Sequence, residues 1–290
     1  MMERVAKIVL WVLGTVWGII FLIFFVRIFI CDQFVVPSSS MEPTLISGDR
    51  ILVNKLLFGA RIYKNFDFNE YIPMESWRMP AIRPVKVNDI VVFNAPHGYD
   101  KRKIEFKINY VYAKRCVGRP GDTIEIRDSR FYNNNCDGVI GDITRQQMLA
   151  EMDDTQMSKG VLRAYPGDDA MFGWTIKNMG PLYVPQAGDN IALNERNYKL
   201  YRMAIEYETR QEIAFENGQT YIAGQPVDNY TFKSSYYYFC GDNVPDSKDS
   251  RYLGFVPEEF IVGVVQRISY SKDTHTNRLN IDRFWKNLTK

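Results

Sequence analysis

The chain has 290 residues and a formal charge of +2 at pH 7, so its length suits one large domain or two smaller ones. The near-balanced charge and the lack of a long basic run argue against a nucleic-acid partner, and we expect none. The 18 Tyr and 18 Phe residues favour strands more than helices.

The first predicted element is an apolar helix near the N-terminus. Residues 8–26 contain no charged side chain, and about 20 apolar residues suffice to cross a bilayer as a helix. A cleaved signal peptide is the alternative, but residues 27–31 show no small-residue cleavage site. We therefore expect an uncleaved single-pass anchor, with Arg4 and Lys7 placing the short N-terminus on the cytoplasmic side.

Three serines, Ser38 to Ser40, follow this helix. A hydroxyl becomes a nucleophile only when a base takes its proton, and without such a base a serine run is an ordinary solvated turn. The two histidines, His97 and His275, have no neighbours typical of a Ser-His-Asp triad. A catalytic serine would therefore need a base of another type.

From Asp32 onward, short apolar runs separated by turn residues predict a mostly β region. The clearest runs are residues 51–53, 90–93, 123–126 and 236–239. A Gly-Asp or Asn-Asp pair precedes a strand at four places, which predicts four similar turns: 48–49, 88–89, 121–122 and 188–189.

Two stretches, residues 59–86 and 128–170, resemble insertions. The second contains the only helical pattern that we identify after the anchor, residues 144–157, with Thr144 as its N-cap.

A buried lysine is the remaining candidate base for a serine. Burial lowers a lysine pKa from about 10.4 by as much as several units, which makes the neutral amine accessible near neutral pH. Lys114 lies in an apolar strand pattern, although most lysines in strands are solvated edge residues.

Five sequence boxes resemble those of bacterial signal peptidase I, the membrane-anchored serine protease that removes leader peptides. They follow the apolar helix in the family's order: P-S-S-S-M-E-P-T-L (37–45), G-D-R-I-L-V-N-K (48–55), N-D-I-V-V-F (88–93), Y-A-K-R-C-V-G-R-P-G-D (112–122) and G-D-N-V-P-D-S-K-D-S-R-Y-L-G-F-V-P (241–257). A further stretch, residues 174–185, is similar to one branch of the family. The resemblance implies a mostly β fold, in which one transmembrane helix precedes an antiparallel β-sheet catalytic domain with an inserted second β subdomain.

The resemblance also implies roles at matching positions. Ser40 matches the nucleophile and Lys114 the general base of a Ser-Lys dyad, so the expected enzyme is a serine endopeptidase without cofactor or metal. Ser38 matches the hydroxyl that forms the oxyanion hole with the Ser40 amide, and Ser247 matches the serine that orients the lysine. Two residues match supports of that last loop: Asp249 and Arg251. Seven residues match positions around the substrate subsites: Phe34, Val36, Met41, Leu45, Ile51, Tyr112 and Ala113.

This resemblance implies an organisation in four parts: an N-terminal tail and anchor (1–31), a first catalytic part (32–127), an inserted subdomain (128–235) and a closing part with the tail (236–290). The expected partners are signal peptides of secreted preproteins and membrane lipid, for a monomer close to the export machinery. We expect cleavage after Ala-x-Ala, with the catalytic domain on the outer face of the bacterial inner membrane.

The chain departs from the family pattern at three points. Ser39 stands where glycine is common, Asn88 replaces a glycine, and Val244-Pro245 alters the loop before Ser247. The long region 128–235 departs most, so no residue roles are carried into it.

Two other protein classes remain as alternatives. One is a catalytically silent, membrane-anchored β module that binds exported proteins, and it would lack a dyad member. The other is a self-cleaving Ser-Lys regulator, which would carry a DNA-binding domain where this chain has the apolar helix. The four cysteines lack a C-x-x-C pair, which argues against a structural zinc site. The sequence leaves open whether a disulfide forms among Cys31, Cys116, Cys136 and Cys240.

Overall fold

The computed structural model describes residues 2–64, 76–96, 103–167, 170–274 and 276–288. Its α-helices are α1 (Met2–Phe25), α2 (Ile143–Glu151), α3 (Lys159–Leu162), α4 (Glu195–Thr209) and α5 (Ser250–Leu253). The strands before residue 140 are β1 (Cys31–Val35), β2 (Asp49–Asn54), β3 (Arg61–Tyr63), β4 (Ser76–Arg78), β5 (Ile90–Asn94), β6 (Val111–Gly118), β7 (Thr123–Arg127) and β8 (Arg130–Asn133). The later strands are β9 (Met179–Tyr183), β10 (Asn190–Ala192), β11 (Ile213–Glu216), β12 (Gln219–Ile222), β13 (Gln225–Pro226), β14 (Asn229–Thr231), β15 (Tyr236–Cys240), β16 (Val256–Pro257) and β17 (Ile261–Ser271).

A seven-stranded antiparallel sheet carries the elements predicted to be catalytic. Its strand order is β1-β2-β17-β5-β6-β15-β16, so strands distant in sequence become neighbours. The remaining strands form four smaller antiparallel groups, of which β8-β7-β9 is joined to the main sheet through the β6–β7 connection. The mostly β, antiparallel fold expected from the sequence is confirmed.

The core lies on both faces of the main sheet. β5 is buried along its whole length, and its alternate residues face opposite sides because side chains in a strand alternate. Ile90 and Val92 join the smaller apolar cluster, whereas Val91 and Phe93 join the larger one. β5 and its neighbour β6 are therefore held rigidly from both sides.

The four predicted turns share one geometry. The residue before each aspartate, Gly48, Asn88, Gly121 or Gly188, has a positive φ between 73° and 93°. In every case the aspartate carboxylate accepts a hydrogen bond from the backbone N–H three residues earlier. Each turn is thus closed by its own side chain, which explains why the same dipeptide begins four strands.

The apolar helix is longer than the uncharged run. α1 continues as a short π-helical turn, Val26–Ile30, directly into β1. The segment Glu3–Ile30 has a mean hydropathy of 2.6 over its best window, and none of that window is buried in the protein.

The helices after the anchor differ from the sequence prediction. α2 begins one residue earlier than predicted, and its N-cap is Asp142, whose carboxylate accepts from the Arg145 N–H; Thr144 lies inside the helix. The helix ends at Glu151 rather than at residue 157.

A longer helix, which we did not identify from the sequence, is α4, which spans 15 residues and is capped by Asn194. Its tyrosines suggested strands, but they pack on its inner face with Leu200 and Ile205, so tertiary burial decided the conformation.

The four cysteines are free thiols. Cys116 and Cys240 are buried, while Cys31 and Cys136 are half-buried.

The division of the chain into four parts stays a prediction. β7, from the first catalytic part, pairs with β8 and β9 from the insertion.

Candidate active site

The serine loop between β1 and β2 is fixed at both ends and beneath. Val36 and Asp49 are joined by a backbone hydrogen bond of 2.8 Å, which closes the loop. Met41 and Leu45 are almost completely buried in the smaller apolar cluster and anchor the loop to the sheet. The loop thereby presents Ser40, half-buried, at the edge of the sheet, while Ser38 is exposed.

Lys114 lies in β6, between β5 and β15, and is only 2% exposed. Its Nζ donates a hydrogen bond to Oγ of Ser40, across 74 residues of sequence. Burial lowers the pKa of Lys114 from 10.5 to about 8, although Asp249 favours the charged form. The two residues predicted as a dyad are therefore in direct contact, and the amine is shifted toward neutrality.

The hydroxyl of Ser38 is the second polar group close to Ser40. Its Oγ lies 3.3 Å from Oγ of Ser40, with either atom able to donate. The Ser38 side chain therefore approaches the Ser40 hydroxyl from the solvent side.

The loop after β15 covers the backbone of the serine loop. The N–H of Asn243 donates to the carbonyl of Ser40 at 3.2 Å, and its side-chain amide donates to the carbonyl of Ser39 at 3.1 Å. Gly241 is packed so closely that an added Cβ would overlap the Ser40 carbonyl oxygen and Oγ of Ser247. No larger residue fits at position 241 without moving one of these groups.

Ser247 is buried and points toward this glycine. Its Oγ has no hydrogen-bond partner among the described residues. The Val244-Pro245 departure is accommodated by a short 3₁₀ turn, Val244–Asp246, in which proline occupies an early position that needs no N–H. The unusual sequence therefore leaves Ser247 buried beside Gly241.

Asp249 and Arg251 form a fully buried ion pair under the same loop. Two guanidinium nitrogens donate to the carboxylate at 2.8 and 2.9 Å, and the carboxylate also accepts from the Gly241 N–H at 2.9 Å. Burial opposes ionisation of Asp249, but the charge of Arg251 and the hydrogen bonds from Arg251 and Gly241 together outweigh it, so the pKa of Asp249 is lowered. The pair fixes the loop that contacts Ser40.

A second ion pair, which we did not predict, joins three of the sequence boxes. Arg115 donates to both oxygens of Asp242 at 2.5 Å, and the hydroxyl of Thr44 donates to the same carboxylate at 2.5 Å. Asp242 is almost completely buried. The residues lie in boxes that the sequence analysis singled out, but nothing in the sequence showed that they meet.

A third pair holds the tail against the serine loop. Arg283 donates to both carboxylate oxygens of Asp49 and to the carbonyl of Thr44. The polar tail gave no sequence signal for this contact.

Most predicted subsite residues lie together. Six of the seven share the smaller apolar cluster: Phe34, Val36, Met41, Leu45, Ile51 and Ala113. Tyr112 instead packs against the larger cluster, with its ring edge-on to Phe93, and its ring centroid is 5.9 Å from Nζ of Lys114. The structure thus places Tyr112 beside the candidate base.

The two histidines, His97 and His275, lie outside the described residues. Within the described ranges, no group of three or more His, Cys, Asp or Glu side chains is arranged to hold a metal ion.

Comparison with known proteins identifies the family. The profile of the family described as "Signal peptidase, peptidase S26" matches residues 8–270 of this chain. Signal peptidase I of Rickettsia massiliae (strain Mtu5) is 28% identical over 260 residues, which cover 88% of this chain and 79% of that protein. Signal peptidase I of Pseudomonas aeruginosa is 27% identical over 256 residues, covering 84% of this chain and 66% of that protein.

A crystal structure of a signal peptidase I from Enterococcus faecalis is similar over 63% of this chain and 98% of its own, at 19% identity and a TM-score of 0.30. The family match covers almost the whole chain, and the apolar helix fits a membrane anchor. The chain belongs to the signal peptidase family, peptidase S26, and is a membrane-anchored peptidase that removes signal peptides.

Proposed function

We propose that this peptidase cleaves by a Ser-Lys dyad, with Ser40 as nucleophile and Lys114 as general base. The observation that carries the proposal is the direct contact between the Ser40 hydroxyl and the buried amine of Lys114. A base must have a pKa near the working pH to be both available and effective, and a pKa of about 8 meets that requirement.

The reaction follows from this pair. Neutral Lys114 accepts the proton of Ser40 while Oγ attacks the scissile carbonyl, and the resulting ammonium then protonates the leaving amine. The products of this half are an acyl-enzyme on Ser40 and the released mature protein. In the second half, Lys114 takes a proton from water, which attacks the ester. The ammonium then returns this proton to Oγ of Ser40 as the signal peptide leaves with its new carboxyl terminus.

The oxyanion formed in each half needs hydrogen-bond donors. We assign this role to the backbone N–H of Ser40 and the hydroxyl of Ser38, which is exposed and 3.3 Å from Oγ of Ser40. Removing one such donor typically reduces kcat by about 10² to 10³. Because the Ser38 hydroxyl rotates freely, it can turn from Ser40 to a developing oxyanion without moving the backbone.

Ser247 serves as a positioning residue for Lys114. Its buried Oγ has no partner in the described residues, although buried hydroxyls are normally hydrogen-bonded. The Ser247 side chain lies beside Gly241. The residue before Gly241, Cys240, pairs with Arg115 in the sheet, so Ser247 lies close to the strand that carries Lys114. Asp249 and Arg251 act further out, by fixing the backbone of this loop.

The smaller apolar cluster supports the expected specificity. Phe34, Val36 and Ala113 line its edge with partly or fully buried side chains, close to the serine loop. A shallow apolar surface of this kind accepts alanine-sized side chains and excludes large ones sterically. We therefore propose cleavage after Ala-x-Ala, with the substrate extended along the free edge of β1.

The anchor sets the orientation that we propose. With Arg4 and Lys7 on the cytoplasmic side, the catalytic domain lies on the outer face of the inner membrane, in contact with lipid and close to the export machinery, as a monomer. Because α1 leads directly into β1, the cleft lies where a signal peptide leaves the bilayer.

The test is cleavage of a preprotein with an Ala-x-Ala leader, in non-ionic detergent, by purified full-length variants. Ser40→Ala and Lys114→Ala should each lower kcat at least 10²-fold, as expected for loss of a nucleophile or a general base. Lys86→Ala is the matched control, since Lys86 is exposed, and it should cleave normally.

Two outcomes would contradict the proposal. Near-normal cleavage by Lys114→Ala would mean that the base is elsewhere. Binding of the leader without cleavage by the wild type, from pH 7 to 10, would favour the catalytically silent module, which the family match does not support.

A further inference from the structure

A pocket of about 170 Å³, lined by both apolar and charged side chains, is formed by residues of β1, β3, β5, β6 and β17 together with Lys55. Its lining includes neither Ser40 nor Lys114, and among its residues only Phe34 matches a predicted subsite position. The residues that matter for its chemistry are Asp32, Phe34, Lys55, Arg61, Asn94 and Val111.

Its polar walls are built from hydrogen-bonded groups. Asn94 is only 1% exposed, and its side-chain amide donates to the carbonyls of Lys107 and Ile108. Its carbonyl oxygen accepts from Arg61 at 2.8 Å, and the same guanidinium also donates to the carbonyl of Glu259 at 2.6 Å. These bonds fix the position of the Arg61 charge.

Lys55 forms the second cationic wall. Its Nζ donates to the carbonyl of Arg27 at 2.6 Å and lies 3.4 Å from a carboxylate oxygen of Asp32. Asp32 is shared, because Arg27 also binds it at 3.0 Å. The lysine therefore has only a long and divided interaction with its carboxylate.

The pocket has an excess of positive charge. Its lining holds two cations, Lys55 and Arg61, and one carboxylate, Asp32, which Arg27 also binds. Glu259, the carboxylate that acts on Arg61, accepts from the Tyr207 hydroxyl. Burial lowers the pKa of both Lys55 and Arg61, which means that their charged forms lack full solvation. An added carboxylate would supply the missing interaction, whereas an added ammonium would be repelled.

The pocket is continuous with the proposed substrate groove. Phe34 and Val111 line it and also belong to the smaller apolar cluster, which holds most of the predicted subsite residues. β1 runs from Cys31, at the end of the anchor, to Val35, just before the serine loop. A peptide that emerges from the bilayer and reaches Ser40 along β1 passes this pocket first.

We propose that this pocket is an upstream substrate subsite that receives an acidic side chain, Asp or Glu, roughly four to six residues before the scissile bond. The position follows from the spacing of an extended chain, about 3.3 Å per residue, which carries the peptide from the Ser40 end of β1 to Asp32. The apolar stem of the side chain packs on Phe34 and Val111, while its carboxylate faces Lys55 and Arg61. The inference rests on the proposed function, because it places the cut at Ser40.

The experiment compares preproteins that carry a single Asp or a single Lys at each of the three positions. Cleavage is measured as kcat/KM in non-ionic detergent, so that lipid charge plays no part. In the wild type, we expect Asp to be preferred about tenfold over Lys at one or two positions, the size of one partly buried ion pair, and not at the others.

Variants of Lys55 then assign the preference. Lys55→Gln should reduce the Asp-to-Lys ratio to about threefold or less, and Lys55→Glu should reverse it. Lys86→Gln, in the turn before β5, is the matched control and should keep the wild-type ratio, because Lys86 does not line the pocket. Because the ratio compares two substrates on one enzyme preparation, it does not depend on how much of a variant is folded.

Several outcomes would overturn the subsite. The first is an equal kcat/KM for the Asp and Lys substrates at all three positions in the wild type. The second is a preference for Asp that is the same at all three positions. The third is an Asp-to-Lys ratio that Lys55→Gln leaves unchanged. The wild-type scan decides the matter even if a Lys55 variant fails to fold. Failure of the proposed function is separate, since it would appear as cleavage of these substrates by Ser40→Ala.

Discussion

The pH dependence of cleavage offers a direct test of the proposed base. With a pKa of about 8, Lys114 is neutral in about 10% of molecules at pH 7 and in about 90% at pH 9. An unshifted lysine with a pKa of 10.5 would be neutral in only about 0.03% at pH 7. Burial therefore raises the concentration of the active base about 300-fold at neutral pH.

The sign follows from which form is active. Since the free enzyme must hold a neutral amine, kcat/KM should rise tenfold per pH unit below about 8 and level off above it. The measurement is kcat/KM between pH 6 and 10 with a substrate that has no group titrating in this range.

Other groups near Lys114 do not produce the same profile. Burial raises the pKa of Cys240 well above its usual value, and the pKa of Asp249 is lowered, so neither titrates near pH 8. A profile whose midpoint lies near 5 or above 10, or one with no dependence on pH, would refute the reasoning. A midpoint near 5 would point to a carboxylate base, and a midpoint above 10 would point to a solvated lysine.

Two further predictions concern the supports of the site, and a third concerns a buried carboxylate outside it. Gly241→Ala should lower kcat at least tenfold, because its Cβ would displace the Ser40 carbonyl or Ser247. The measurement is kcat, and circular dichroism of the same sample distinguishes a loss of activity from a loss of folding. Asp242→Asn should lower the unfolding free energy by about 3 kcal/mol, because it leaves Arg115 without its buried carboxylate, and chemical denaturation would measure it. Glu208→Gln should lower the unfolding free energy by about 2 kcal/mol, because the Glu208 carboxylate accepts four hydrogen bonds. These bonds lie away from the dyad, so kcat should be nearly unchanged, and a large loss of kcat in folded protein would contradict this prediction.

Much of the main sheet could be predicted, because its strands carry local signals. The turn pairs before β2, β5, β7 and β10 require a positive φ and an aspartate that binds backbone, and both requirements are visible in a dipeptide. The order of the strands could not be read from such signals. That β17 lies between β2 and β5 depends on contacts across more than 150 residues, which no local pattern encodes.

The region between β8 and β15 was predicted least well. α4 presents tyrosines at helical spacing, but tyrosine favours strands, so the propensity pointed the wrong way. Its conformation is set by packing of Tyr201 on Phe232 and Phe255, partners that lie more than 30 residues later. Propensity alone was too weak a signal to predict this outcome.

At the site, the sequence indicated which residues carry chemistry but not what holds them. Ser40 and Lys114 stood out because a nucleophile needs a base and the histidines gave no convincing alternative. Asp242 and Arg283 carried no comparable signal, since charged residues are common on surfaces. Their importance appears only when burial and bidentate geometry show that each fixes part of the serine loop.

The burial that makes Lys114 a base also works against the folded state. A pKa lowered from 10.5 to about 8 means that the unfolded chain binds a proton in this range that the native state does not, so stability rises with pH through this window. Below pH 8 the folded state is less stable by about 3 kcal/mol than if the lysine were solvated, a sizeable part of a typical 5–15 kcal/mol. The lysine cannot therefore be what holds the site together. That role falls to the three arginine–carboxylate pairs around it, which lie in separate boxes and in the tail, and whose positions fix the loops on either side of Ser40.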